Sequence, residues 1–89
     1  MNLEPVILAL TSAMMLLEDA GPEEISPETA VRGQENMGDY LDRLSGPDRE
    51  EFRAVLRQVA RDIEDRDPAV AEFIRKVPFS LGWDEEPLE

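Results

Sequence analysis

The sequence predicts an all-α protein: a compact four-helix bundle or an orthogonal helical array, with the N-terminal helix at its centre. Three observations carry that prediction. Helix-start signals recur at Ser26-Pro27, Ser45-Gly46-Pro47 and Asp67-Pro68. At each, a side-chain oxygen can accept an orphan N–H, and proline sits where its missing N–H does no harm. Apolar residues between these signals recur at helical spacing. No strand-like alternation is sustained, and no internal repeat is visible.

The first helix is predicted from about Leu3 to Ala20, with Asn2 as N-cap, Pro5 in the first turn and Gly21-Pro22 as the stop. Val6, Ile7, Leu8, Leu10, Met14, Met15, Leu16 and Leu17 put large apolar groups on nearly every face. A helix apolar all round is normally buried all round. Each such side chain gains roughly 1.5–3 kcal/mol on full burial. This helix is therefore expected to be the central strut, wrapped by the other helices or by a second copy.

The second helix starts at Ser26-Pro27-Glu28, with Ala30, Val31, Met37, Tyr40, Leu41 and Leu44 as its core-facing set. Gly33 and Gly38 each cost about 1 kcal/mol relative to alanine, so this helix is either kinked or in close contact with a neighbour there. The third runs from the Ser45 cap to about Asp65, with Asp48 placed as the acid of a capping box. Its stripe of Phe52, Val55, Leu56, Val59, Ala60 and Ile63 is the cleanest amphipathic pattern in the chain. The fourth is short, Pro68 to about Lys76, facing inward with Val70, Phe73, Ile74 and Val77, and ended by Pro78. Residues 1–83 read as one all-α domain, and 84–89 as an acidic, frayed tail.

Composition removes several functional classes. The 89 residues carry 21 acids against nine bases, a formal charge of −12, with no cysteine and no histidine. Disulfides, thiolate metal sites and catalysis by histidine or cysteine are therefore excluded within one chain. Nucleic acid and anionic membranes are disfavoured, because a polyanion is repelled by this charge. The apolar run Pro5–Leu17 is shorter than the roughly 20 residues needed to span a bilayer. No basic residue precedes it, as a signal peptide would require. The expectation is a cytoplasmic protein with no cofactor, no metal and no membrane partner.

The candidate partner-binding residues are Arg49, Arg53, Arg57, Arg61, Phe79 and Trp83. The four arginines stand at i, i+4 intervals and form a ladder on the third helix. One reading is a clamp for a carboxylate- or phosphate-bearing partner. The other, which is favoured, is internal: the stems cover apolar surface and the heads pair with nearby acids. Glu50 and Asp65 have the spacing to pair with Arg53 and Arg61. Phe79, Leu81 and Trp83 are expected to fold back as a lid, with an exposed docking element as the alternative. Asp39 with Asp42, and Asp62 with Asp65, have the spacing of Mg²⁺-holding pairs, but all four fall away from the apolar stripes.

The leading expectation is a small non-enzymatic protein-binding module for a basic protein partner, of immunity or antitoxin type. Size, charge and helix content are similar to those of bacterial nuclease-immunity proteins as a class, without a matching motif. The alternatives are a homodimeric structural module joined through the first helix and, remotely, a Mg²⁺-dependent all-α phosphohydrolase.

Overall fold

Each start signal caps a helix. The computed structural model describes residues 1–89 and contains α1 (Glu4–Asp19), α2 (Pro27–Leu41), α3 (Gly46–Ile63) and α4 (Pro68–Ser80). Ser26 Oγ accepts from the Thr29 N–H at 3.2 Å, Ser45 Oγ from Asp48 at 3.2 Å, and Asp67 Oδ1 from Val70 at 3.2 Å. At α1 the signal is displaced by one residue: Leu3 is the N-cap, and Asn2 Oδ1 instead accepts the Glu4 N–H at 3.1 Å. No helix is long and apolar enough to cross a membrane.

The core is the α3–α4 hairpin with α1 laid against it. Leu56, Val59, Ala60 and Ile63 of α3 meet Ala71, Ile74 and Val77 of α4, and Ile7 and Met14 of α1 close the cluster. Thr11 is also buried there; its hydroxyl donates to the Ile7 carbonyl at 2.8 Å, so no polar hydrogen is left unmatched. As expected, α1 is central, since it alone packs against all three other helices. The helices form an open array and not a closed bundle, because α2 rests on α1 and brings no Cα within 8 Å of α3 or α4.

Within the single chain, two expectations about burial fail for that reason. α1 is not enclosed: Val6 and Leu16 are 51% and 59% exposed, and Pro5, Ala9, Ser12 and Ala13 share their outward side. α2 buries no residue at all; Val31 and Tyr40, expected in the core, are 55% and 65% exposed. α2 runs unbroken through both glycines. Gly33 is the point of close contact, since a Cβ there would stand 2.7 Å from Leu17 Cδ1.

Pro78 does not end α4, which continues to Ser80. The true stop is Gly82, at φ +79°. The Trp83 N–H bonds to the Pro78 carbonyl at 2.9 Å and the Gly82 N–H to Phe79 at 3.0 Å, the paired bonds of a Schellman motif. That reversal sends the chain back over the hairpin. The tail 84–89 is anchored at two points instead of frayed throughout: Asp84 pairs with Arg53, the Leu88 N–H donates to the Arg75 carbonyl at 2.8 Å, and the Leu88 side chain joins the core cluster. A leucine and a free N–H both find partners there, which an acidity-based reading of the tail overlooks.

Two glycine substitutions are expected to move stability in opposite directions. Gly82→Ala forces an L-residue into the left-handed region and should lower the unfolding free energy by about 1 kcal/mol. Gly38→Ala sits mid-helix, where the added Cβ meets Leu81 Cδ2 at an ordinary 3.7 Å; it should raise stability by roughly 0.5–1 kcal/mol. Thermal melts of the two variants check both signs.

Candidate functional site

The arginine ladder divides in two. Its first half is engaged inside the molecule, around Trp83. The Schellman turn brings the indole against α3, where Phe52 meets it edge-on at 6.0 Å between centroids. Arg49 and Arg53 lie over the ring with guanidinium carbons 4.5 Å and 5.6 Å from its centroid, within reach of cation–π attraction. The indole N–H donates to Asp42 Oδ1 at 2.8 Å, which ties the C-terminal cap of α2 to the chain after α4.

Arg49 also satisfies carbonyls at the end of α2. It donates to the Asp42 carbonyl at 2.8 Å and to Leu44 at 3.2 Å, placing a cation at the negative end of that helix. Arg53 makes a forked pair with Asp84, Nε to Oδ2 at 3.1 Å and Nη2 to Oδ1 at 3.0 Å, and a second pair with Glu50. The Asp84 hydrogen bond raises the Arg53 pKa above its already high usual value. Burial opposes the rise, and the Asp84 and Glu50 charges add to it. A cation with a raised folded-state pKa loses its stabilising effect only as pH climbs through that folded value. The Arg53 charge is therefore constant across the neutral range.

The second half of the ladder is free of ion pairs. Arg57 borders a shallow polar depression with Glu85 and Glu86, and Arg61 is exposed. Asp65 lies beyond the end of α3 and does not pair with Arg61, contrary to the spacing-based expectation. Phe79 stands apart on the solvent side of α4, 48% exposed. The six candidate residues thus do not form one surface. Arg49, Arg53 and Trp83 converge on an internal lock, while Arg57, Arg61 and Phe79 do not join it. Asp42, the lock's acceptor, carries no sequence signal of that role, since it lies 41 residues before Trp83.

A double-mutant cycle on Arg53→Ala and Asp84→Ala should give a coupling of about 1 kcal/mol at low salt, since the pair is forked and partly shielded. The coupling should shrink as salt is added. Additive single effects would show that the contact does not hold the tail.

The acidic surface is largely uncompensated. The ion pairs of the molecule engage Asp42, Glu50, Glu64, Glu72 and Asp84, five of the 21 acids in the chain. No three carboxylates converge closely enough to hold a metal ion. Asp62 accepts from Gln58 at 2.9 Å, and Asp42 from Trp83, so each aspartate pair has one member engaged elsewhere.

The main apolar concavity lies between α2 and α4, with α1 as its floor. It measures about 610 Å³ and is lined by Met14, Leu17, Ile25, Ala30, Val31, Phe73 and Val77, with Glu18, Gln34 and Glu35 among its polar members. No lysine or arginine lines it. Sequence reasoning assigned Val31 and Phe73 to the core and missed the groove, because helical periodicity shows which side is apolar and not what covers it. Comparison with known proteins adds no relative: no family model, no curated protein and no solved structure matches this chain.

Proposed function

We propose that this chain is a non-enzymatic, cytoplasmic protein-binding module whose partner presents a basic surface. The observation that carries the proposal is the uncompensated charge: the internal ion pairs leave most carboxylates facing solvent with no cation within 4.0 Å. Such a field accelerates encounter with an oppositely charged protein and repels nucleic acid. Open apolar surface beside that charge supplies the contact area that steering alone does not. An immunity- or antitoxin-type role, capping a basic toxin, is the form of this reading that size and charge favour.

Affinity capture by the tagged chain from its source cells, at low and then raised ionic strength, tests it. The expected result is a basic protein retained at low salt and progressively released. Retention of acidic proteins only, or of none, would overturn the reading. Calorimetric titration with Mg²⁺ tests the non-enzymatic part: saturable binding below millimolar concentration would revive a phosphohydrolase.

A second reading, a homodimer through α1, is favoured by the outward side of that helix, where Val6 and Leu16 are exposed and Ala9 and Ala13 lie alongside. Two copies of charge −12 oppose it by mutual repulsion. Light scattering decides, since a monomer at micromolar concentration would end this alternative.

A further inference from the structure

The molecule exposes more surface than its mass requires. A folded monomer of 10.1 kDa exposes roughly 5,300 Å², whereas this chain exposes 6009 Å². The excess of about 700 Å² approaches the ~800 Å² that one partner contributes to a standard interface. Its radius of gyration, 13.1 Å, likewise exceeds the ~12 Å of a tightly packed chain of this length. Part of the excess has a definite location. α2 and α4 stand apart across the floor of α1, and Ala30 and Val31 of α2 border this gap on a helix that buries no residue.

We propose that the groove between α2 and α4 receives an amphipathic helix with a basic polar face, supplied by the partner protein. This inference rests on the protein-binding reading above and specifies its site. Two flanking helices over a helical floor match the helix-in-groove mode of recognition, in which apolar side chains at i, i+3, i+4 and i+7 enter the groove. Leu17, Val31 and Phe73 present apolar surface to such anchors. Glu18 and Glu35 are the only charged residues of the lining, so the incoming polar face must be cationic to complement them. A second copy of this chain is a poor occupant, because its own helices would bring further carboxylates against that rim.

The probe is a synthetic peptide of about 18 residues made only of leucine and lysine, with leucines on one helical face. Amide NMR titration should give saturable shifts concentrated at Leu17, Val31 and Phe73, with affinity falling as salt rises. Val31→Lys, at a position 55% exposed, should keep the helical circular dichroism and weaken binding at least tenfold. Glu35→Lys should weaken it less and flatten the salt dependence. Equal binding by a scrambled peptide of the same composition would overturn the proposal. Unchanged affinity in Val31→Lys, or shifts spread over the acidic surface, would do the same. So would a self-association that Val31→Lys abolishes. Should a captured basic protein bind Val31→Lys as tightly as the parent chain, the groove assignment fails while the protein-binding reading stands. If no basic protein is captured by either chain, the broader reading fails.

Discussion

Replacing Leu56 with alanine is expected to remove about 3–5 kcal/mol of unfolding free energy and to leave the chain barely folded at room temperature. Leu56 is 0% exposed and lies in the same buried cluster as Ile74, Val77 and Ala60. The α3–α4 seam cannot collapse readily around a missing isobutyl group, because both backbones are held by their own hydrogen bonds and by the short turn between them. The expected loss combines the lost transfer free energy with the cavity left behind. It weighs heavily because only 12 of the 89 residues are buried, and small domains sit near the bottom of the usual 5–15 kcal/mol range. Urea titration followed by circular dichroism measures it. Leu16→Ala, the same chemistry on the outer side of α1, should change stability by less than about 1 kcal/mol. Similar losses in the two variants would mean that the core is misplaced.

Trp83→Ala is expected to cost about 2–4 kcal/mol, somewhat below the range for a fully buried tryptophan. The indole is half-buried, but it joins three separate parts: Phe52 and the two arginines of α3, the Asp42 carboxylate at the end of α2, and the turn that leaves α4. Its loss releases Arg49 and Arg53 from the ring and frees the segment that Asp84 and Leu88 anchor. Trp83→Phe retains the aromatic contact and loses only the N–H bond, so it should cost about 1 kcal/mol. Proteolysis near residues 84–89 should accelerate in the alanine variant and not in the phenylalanine one. A Trp83→Ala variant with unaltered melting and unaltered cleavage would show the lock to be ornamental.

What the sequence revealed was local. The caps at Ser26, Ser45 and Asp67 were legible because a cap is a side chain bonded to a backbone only three residues away. The α3 stripe was legible because burial on one side follows directly from period 3.6. Pro78 gives the wrong stop, since α4 runs on to Ser80 and the reversal at Gly82 just beyond it has no distinguishing spacing. The apolar ring of α1 was legible as composition but not as burial: whether Leu16 is covered depends on where α2 lies, and nothing within α1 decides that. The same holds for Val31, whose apolar side was correctly placed on its helix but faces a groove instead of a core. Trp83 and Asp42 meet only because three helix ends converge, a juxtaposition no spacing rule contains.

The attachment of α2 has a further consequence. A segment gripped along one flank, and pinned at its far end by Trp83 and Arg49, can lift away while the hairpin beneath stays intact. Hydrogen exchange should reveal this as a hierarchy, with α2 amides opening by a sub-global route well below the free energy of complete unfolding and α3 amides opening only with the whole molecule. Anything that settles beside α2 would suppress that opening. Slowed exchange there would register its arrival even if the average shape did not change.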